Sequence, residues 1–240
     1  MLAHRPGPVL APSAPLPGRV VAEAEVDEFV RRLRGAGDSA AESYVRELMD
    51  GGLSAEVVYL DLLAPAARRL GTLWDQDACD FIEVTVAMGR IQRILRAMSR
   101  LLLADGDAAA PRRGAALLTC LPGEQHTLGL FMVAEFFVKD GWAVNVGAPL
   151  GQQDLRRLLA DQWFDVLGFS IGCDSHLTNV GKEIRACRKA SRNRNLRVLV
   201  GGRIFSEHPE LVDRVGADGS AADARQAPRV AALLAGVEAS

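Results

Sequence analysis

Apolar residues recur at helical spacing in the first part of the chain. Four segments show this pattern, at about 21–34, 39–49, 54–74 and 79–103, and short polar or glycine-containing connections separate them. Pro65 predicts a kink in the third segment, because proline lacks the backbone N–H group that a helix interior requires. The predicted buried face of the fourth segment consists of Phe81, Ile82, Val84, Val86, Met88, Ile91, Ile94, Leu95 and Met98. The pattern predicts an antiparallel four-helix bundle.

The pattern changes after residue 114, where short apolar runs alternate with helical segments. The predicted strands are about 115–120, 142–147, 164–170, 196–201 and a weak one near 218–221. The predicted helices are about 130–140, 152–162, 176–192, 207–215 and 223–235. Strands that are apolar along nearly their whole length are typical of a parallel sheet that helices cover on both faces.

Two segments of small and polar residues divide the chain. Residues 1–20 carry prolines at positions 6, 8, 12, 15 and 17, which predicts an extended or disordered tail. Residues 105–114 have the composition of a linker. The predicted domains are therefore a helical domain over 21–104 and an α/β domain over 115–240.

Charge and cysteine spacing narrow the possible functions. The net charge of −2 and the pI of about 6.1 give no electrostatic basis for strong autonomous binding of nucleic acid. The four cysteines, Cys79, Cys120, Cys173 and Cys187, lie far apart, which favours reduced buried thiols over a disulfide framework or a zinc site.

The chain also lacks the signals of export and of common catalytic sites. It has no apolar run of about 18 residues or more, and its first residues lack the apolar core of a signal peptide. A cytoplasmic protein is expected. We find no catalytic triad order, phosphate-binding loop or metal-hydrolase spacing, so we expect a protein that is not an enzyme.

One histidine lies where an α/β sheet binds ligands. His126 falls within residues 123–129, between the first predicted strand and the following helix, and such loops form the carboxyl edge of the sheet. A neutral imidazole nitrogen suits a transition metal, and a carboxylate such as that of Glu124 can fix the imidazole tautomer. The alternative is a loop histidine that binds no ligand.

This segment resembles the Asp-x-His-x-x-Gly motif of cobalamin-binding domains. Glu124, His126 and Gly129 stand at the matching positions, with glutamate in place of aspartate. The resemblance implies that His126 is the lower axial ligand of cobalt and that Glu124 orients its imidazole. It also implies that Gly129 leaves room for the nucleotide tail of the cofactor.

Three later strand ends resemble the same family. Ser170 matches a serine that hydrogen-bonds the buried benzimidazole, and Gly172 departs from the family pattern in a way that opens space. Gly201 and Gly202 match paired glycines that let the nucleotide tail pass close to the backbone, and the run 216–219 resembles a Gly-Ala-Asp segment. Taken alone, paired glycines after a strand are common, and a serine there is more often a helix cap. With the handedness rule for crossovers, the resemblance implies a flavodoxin-like (Rossmann-type) five-stranded parallel sheet in the order 2-1-3-4-5.

The helical half resembles the tryptophan-bearing cap of methionine synthase and of cobalamin photoreceptors. The resemblance implies that Trp74 and Glu83 contact the cofactor, although Trp74 could equally be a core residue at a helix end. Val84 stands where those photoreceptors have a histidine near an adenosyl group, which favours hydroxocobalamin or another form over adenosylcobalamin. Residues 21–104 contain no histidine, so an upper-face histidine ligand would have to be His4.

The whole layout is similar to the AerR/PpaA family of purple photosynthetic bacteria. That resemblance implies a cobalamin-binding, light-responsive antirepressor that acts on a PpsR/CrtJ-type repressor, with weak or indirect DNA binding. The alternatives are a corrinoid carrier for methyl transfer, a haem-binding sensor with His126 on iron, and a scaffold that binds no cofactor. Two basic stripes are interpreted as solvated faces that could serve partners; they are Arg90, Arg93, Arg96 and Arg100, and Arg185, Arg188, Lys189, Arg192, Arg194 and Arg197.

Overall fold

The structure is a computed structural model that describes residues 19–35, 37, 39–104, 113–121, 127–147, 151–172 and 177–237. The described chain divides into two compact units, one within Ala14–Asp105 and the other within Gly106–Ser240. The first unit is helical and the second contains a parallel sheet.

The helical unit contains five α-helices and one π-helical segment among its described residues. They are α1 Glu23–Arg34, α2 Ala40–Asp50, α3 Ala55–Val57, the π-helical segment Val58–Leu63, α4 Ala64–Asp75 and α5 Phe81–Ala104. Their apolar faces enclose a core whose largest fully buried side chains include Phe29, Tyr59, Leu62, Leu63, Leu70 and Ile91. The Tyr59 hydroxyl donates a hydrogen bond of 2.8 Å to the carbonyl oxygen of Leu95, so this buried polar group is satisfied.

The third predicted helix departs from α-helical geometry just before its proline. The π-helical turn Val58–Leu63 leads directly into α4, where Pro65 lies within the first two positions. A proline has no N–H group and its ring crowds the preceding turn, and the wider π-helical turn accommodates both effects.

The predicted buried face of α5 is wrong at its amino-terminal end. Phe81 and Ile82 are each 70% exposed, and Val86 is also exposed. The positions that face the core are Ala87, Arg90, Ile91, Ile94, Leu95, Met98 and Leu102. These follow a helical period that leaves Phe81, Ile82 and Val86 on the solvent side, so the sequence is apolar over a wider arc than the bundle covers.

Arg90 was predicted to belong to a solvated basic stripe, and that prediction is also wrong. Its side chain is buried, and Nη1 donates hydrogen bonds of 2.6 Å to the carbonyl oxygens of Leu33 and Gly35. These two carbonyls lie at the end of α1, where no intrahelical donor is left for them. Arg90 therefore stabilises the carboxyl terminus of α1 from the middle of α5.

The α/β unit confirms the predicted sheet. Its strands are β1 Ala115–Cys120, β2 Ala143–Gly147, β3 Val166–Ser170, β4 Arg197–Gly201 and β5 Gly219–Ser220. They pair in parallel in the order β2-β1-β3-β4-β5. This is the predicted order, 2-1-3-4-5.

Helices cover both faces of the sheet. They are α6 Leu128–Lys139, α7 Gln152–Asp161, α8 Leu177–Ala190, α9 Arg203–Glu207, α10 Leu211–Val215 and α11 Ala227–Ala235. Side chains alternate between the faces along each strand. Leu117 and Val198 therefore lie in the core that includes residues of α7 and α8, while Ala116 and Leu199 lie in the core that includes residues of α6 and α11.

The helix predicted near 207–215 corresponds to α10, which begins later than predicted, and α9 was not predicted. α9 ends at Glu207, and α10 begins at Leu211. Between them His208 has φ −132° and ψ 72°, because the residue before a proline is disfavoured in the helical region, and residue 209 is proline.

The cysteine prediction is confirmed at three positions, since Cys79, Cys120 and Cys187 are buried thiols that form no disulfide bond. Cys173 lies outside the described residues. No helix in the described part of the chain is long and apolar enough to cross a membrane.

Candidate functional site at the carboxyl edge of the sheet

The last residues of the central strands lie side by side. Cys120 at the end of β1 pairs with Ser170 at the end of β3, and Ser170 pairs with Gly201 at the end of β4. The three strand-end positions therefore form one row at the carboxyl edge, where open α/β sheets bind ligands.

Ser170 and Gly129 are close neighbours at this edge. A Cβ atom added to Gly129, in the first turn of α6, would lie 3.9 Å from the Oγ atom of Ser170. The Ser170 side chain is half-buried, and its hydroxyl makes no hydrogen bond to any other residue in the described ranges. A partly exposed hydroxyl that no described residue engages is suited to bond a ligand.

The two glycines after β4 have different environments. A Cβ atom on Gly202 would lie 1.9 Å from the carbonyl oxygen of Ile171, and Gly202 has φ +126°, so residue 202 must be glycine for internal packing. A Cβ atom on Gly201 would meet nothing within 4 Å. The open space that could admit part of a cofactor is therefore beside Gly201, while Gly202 fixes the crossing of two loops.

Two buried hydroxyl residues at the same edge were missed by the sequence analysis. Thr119 is fully buried, and its hydroxyl lies 3.2 Å from the carbonyl oxygens of both Gly147 and Cys120. Ser220 is buried at the end of β5, opposite Val200. Buried serine and threonine at the last positions of predicted strands are the signal that could have identified them.

The remaining predicted ligands of this edge are only partly described. Gly172 is exposed and directly follows the buried Ile171. Glu124 and His126 lie outside the described residues, as does His4. Their roles as cobalt ligands and as the orienting carboxylate stay predictions.

The Gly-Ala-Asp segment lies at the opposite edge of the sheet. Gly216 ends α10 with φ +77°, and Asp218 precedes β5. The Asp218 carboxylate accepts hydrogen bonds from the backbone N–H of Val198, at 2.6 Å, and from Arg188, at 2.5 Å. This segment is thus occupied with internal contacts away from the carboxyl edge.

In the helical unit, Trp74 is an exposed side chain at the end of α4. Its indole meets the ring of Phe81 edge-on, with the ring centroids 6.2 Å apart. The helical unit therefore has an exposed apolar surface, which consists of Trp74, Phe81, Ile82 and Val86. The alternative interpretation of Trp74 as a core residue is therefore wrong, because the side chain is 44% exposed.

Both carboxylate oxygens of Glu83 are engaged within the helical unit. Oε1 accepts a hydrogen bond of 3.1 Å from Arg34, and Oε2 accepts one of 3.0 Å from the backbone N–H of Asp80. The Asp80 carboxylate in turn accepts a bond of 2.8 Å from the Glu83 N–H, which completes a reciprocal cap at the start of α5. A polar contact of Glu83 with a cofactor would have to share an oxygen that already accepts one of these bonds.

Within the described residues, no group of three or more histidine, cysteine, aspartate or glutamate side chains is placed to hold a metal ion. The described part of the edge offers a hydroxyl, glycine backbone and open space. It thus fits a cofactor tail rather than a protein-only metal cluster.

Comparisons with known proteins agree with this description. The sequence family described as B12 binding domain matches residues 114–229. A Rhodobacter capsulatus protein, described as an uncharacterized 20.5 kDa protein in the bchF-crtJ intergenic region, is 36% identical over 154 residues. That match covers 64% of this chain and 79% of the R. capsulatus protein.

A similar fold occurs in a solved structure, the monomethylamine corrinoid protein of Methanosarcina barkeri. The TM-score is 0.73 at 15% sequence identity, and the match covers 88% of this chain and 98% of that one. At this identity the likeness concerns the fold alone.

Proposed function

This chain belongs to the B12-binding domain family, and we propose that it is a cobalamin-binding, light-responsive regulator of transcription. The observation that supports the cofactor part is the row formed by Ser170 and Gly201. The row combines a hydroxyl without a partner among the described residues and a backbone position with open space. A bound cobalamin supplies absorption of visible light and an exchangeable axial position on cobalt.

The described residues have distinct parts in this proposal. Ser170 donates or accepts a hydrogen bond to the lower part of the cofactor, and Gly129 keeps the space in front of that hydroxyl free. Gly201 leaves room for the nucleotide tail, and Gly202 holds the loop after β3 against the loop after β4. Gly172 is exposed at the same edge, and its lack of a side chain leaves more room for the cofactor there.

We further propose His126 as the lower axial ligand of cobalt, with Glu124 bonded to its other ring nitrogen. A carboxylate in that position fixes the tautomer and raises the basicity of the ligating nitrogen. Trp74 remains a proposed contact to the cofactor, supported by its exposed indole. Glu83 is a weaker candidate because its carboxylate is engaged by Arg34 and Asp80, and His4 is proposed only as a possible upper ligand.

The regulatory part of the proposal concerns a PpsR/CrtJ-type repressor. It is supported by the R. capsulatus relative, whose description places it between bchF and crtJ. We propose that dark and illuminated holo-protein bind this repressor with different affinity and so relieve repression of photosynthesis genes. Such coupling requires that the two forms make different contacts with the partner.

Reconstitution with hydroxocobalamin tests the cofactor part. The protein is mixed with hydroxocobalamin, freed of excess by gel filtration and examined by visible absorption. We expect a bound corrin spectrum in the wild type, a changed spectrum in His126→Ala, and loss of binding in Gly201→Val, whose side chain would fill the open space. Gly89→Val is the matched control, because a Cβ atom there also meets nothing within 4 Å.

Two outcomes would contradict parts of this proposal. A wild type that retains no corrin excludes the cobalamin proposal, and reconstitution with haem is then the next measurement. Equal affinity of dark and illuminated holo-protein for the repressor would leave the cofactor in place and remove the light-switch part.

A corrinoid carrier for methyl transfer is the second candidate. It is favoured by the M. barkeri likeness, which extends over 88% of the chain and therefore includes helical as well as sheet segments. A carrier passes a methyl group between partner enzymes and needs no repressor. Transfer of methyl to an acceptor thiol from protein reconstituted with methylcobalamin, together with the absence of repressor binding, would support the carrier.

A further inference from the structure

The edge strand β2 has backbone groups that point away from the sheet. Among the described strands, β2 is hydrogen-bonded to β1 alone, so its other side is an edge of the sheet. The N–H group of Ala143 donates to the carbonyl oxygen of Gly114, at 2.8 Å, on the β1 side. Because successive residues of a strand direct their backbone groups to opposite sides, the N–H and C=O groups of Val144 and Val146 point outward. Within the described ranges these outward groups have no hydrogen-bond partner.

This edge lacks the features that protect an edge strand from pairing. Sheet edges are commonly blunted by charged side chains, proline, bulges or short length. The opposite edge, β5, is only two residues long. By contrast, β2 has five residues, none of which is charged or proline, and its register with β1 is not interrupted by a bulge. β2 is therefore open to pairing with a further strand.

The backbone of β2 complements a second copy of itself about Asn145. If two copies pair antiparallel around a two-fold axis at Asn145, Val144 of each copy stands opposite Val146 of the other. These are the residues whose groups point outward, so each such pair exchanges both of its backbone hydrogen bonds. Asn145 then lies opposite its counterpart as the non-hydrogen-bonded pair, where side chains are closest. Two asparagine amides can donate to and accept from each other.

An exposed apolar stripe on α6, formed by Phe131 and Val138, lies beside the same edge. The two side chains are 36% and 43% exposed, and their spacing of seven residues is close to two helical turns. α6 packs on β1 and β2. Its Gly129 faces β3, since a Cβ atom there would approach Ser170. Phe131 and Val138 are on the opposite side of the helix from Gly129, which is the side toward the edge formed by β2.

We propose that this chain forms a two-fold symmetric dimer, in which the β2 strands of two copies pair antiparallel and the two α6 stripes pack together. A single peptide strand would satisfy the backbone groups of Val144 and Val146 but would leave Phe131 and Val138 exposed. A second copy fits both features, because it brings its own strand edge and its own stripe to the axis. The net charge of −2 per chain gives little repulsion between copies.

The dimer leaves the row at the carboxyl edge accessible. Ser170 ends β3 and Gly201 ends β4, which lie two and three strands away from β2. Neither strand belongs to the proposed interface. The interface therefore forms in the apo-protein, and its test does not depend on the proposed function.

Sedimentation velocity of the full-length apo-protein, from low to high micromolar concentration and at low salt, tests the proposal. Because residue 145 meets its own counterpart at the axis, Asn145→Lys and Asn145→Glu each place like charges opposite each other, whereas a mixture of the two variants places opposite charges there. The matched control is Asn195→Lys, the same substitution at an exposed position in the loop before β4. A second pair of variants tests the α6 stripe: Phe131→Gln/Val138→Gln, with Leu101→Gln/Leu233→Gln as the control, which replaces two exposed leucines elsewhere.

We expect the wild type to reach a mass near twice the 25.7 kDa of the chain as its concentration rises. Each Asn145 variant alone should dimerise at least about tenfold more weakly, and mixing the two should restore the dimer, which a merely misfolded variant would not do. The α6 variant should also dimerise more weakly, while both controls behave as the wild type. A wild type that stays monomeric at every concentration would overturn the proposal and leave the edge to a strand of a different protein. Wild-type association by both Asn145 variants, or by the α6 variant, would also overturn it.

Discussion

The backbone of Gly202 lies against the carbonyl group of Ile171 so closely that residue 202 has no room for a side chain. A Cβ atom there would stand 1.9 Å from the carbonyl oxygen, and the φ of +126° is itself unfavourable for any residue with a side chain. The contact joins the loop after β3 to the loop after β4. Its consequence for stability can be measured without any cofactor.

Gly202→Ala should destabilise the apo-protein by about 3 kcal/mol or more, because overpacking and backbone strain add. The neighbouring Gly201→Ala is the control, since its Cβ atom meets nothing within 4 Å, and it should change stability by about 0.5 kcal/mol or less. Urea denaturation followed by circular dichroism measures both. Equal effects of the two substitutions would contradict the crossing described for Gly202.

Ser170→Ala should weaken cobalamin binding by about 1 kcal/mol, roughly fivefold, because one hydrogen bond to the cofactor is removed. The stability of the apo-protein should hardly change, since the hydroxyl has no partner among the described residues. Thr119→Val is the contrasting variant, because the Thr119 hydroxyl bonds internal carbonyl oxygens. Thr119→Val should lower the stability of the apo-protein. Cobalamin titration followed by visible absorption measures the change in affinity, and urea denaturation measures the change in stability.

Arg156→Met should destabilise the α/β unit by about 2–3 kcal/mol, because it leaves the carboxylate of Glu183 buried without its charged partner. The effect is set below that of a fully buried pair since the Arg156 side chain is 37% exposed. Arg157→Met is the matched control on the same helix. Its side chain is 75% exposed and lies 3.8 Å from Asp154, so the change should be near zero in thermal or urea denaturation.

Stability should fall with rising pH above about 9 because of Cys187. Burial, followed by the Glu183 carboxylate, raises the pKa of this thiol from 9.0 to about 12. Between these values the unfolded chain loses the thiol proton and the folded chain keeps it, so the unfolded state is favoured by up to about 1.4 kcal/mol per pH unit. Below pH 9 both states are protonated and the effect vanishes.

Cys187→Ala isolates this contribution. The absolute stability of the variant will be lower because a cavity remains, so the comparison concerns only the difference between about pH 8 and about pH 10. The wild type should lose about 1 kcal/mol more than the variant over that interval. An identical pH dependence in both proteins would show that Cys187 titrates normally.

Much of the α/β unit could be predicted from the sequence. β1 was predicted at 115–120 and lies at Ala115–Cys120, because a short apolar run bounded by glycine and proline has few other structures available. The order of strands followed from the resemblance and from crossover handedness. Ser170 and Gly201 were also predicted at one edge, since the ends of parallel strands lie together.

The errors arose where hydrophobicity alone was used to infer burial. Phe81 and Ile82 are apolar but exposed, and only the packing of α1 and α4 on α5 decides which side of that helix is covered. Arg90 is the opposite case, a charged residue that is buried because it bonds the last carbonyls of α1. α9 was not predicted, because a helix of five residues is too short to show a helical period in the sequence.

The site illustrates the same limit. The paired glycines were predicted to have one common purpose, and the structure separates them into a packing contact at Gly202 and open space at Gly201. Glu83 was predicted from a resemblance, but its capping bonds depend on Asp80 and on Arg34, which is 49 residues away. The pairing of Glu83 with Arg34 joins residues that are far apart in the sequence, so it could not be predicted from the local sequence pattern.

Arg90 has a consequence for the way the helical unit opens. Because its guanidinium group bonds two carbonyls at the end of α1 from a position inside α5, α1 cannot fray from its carboxyl end without breaking bonds to another helix. Local opening of that end then costs the free energy of these two bonds in addition to the ordinary cost of fraying a helix end. Amide protons in the last turn of α1 should therefore exchange with solvent more slowly in the wild type than in Arg90→Met, which lacks both bonds.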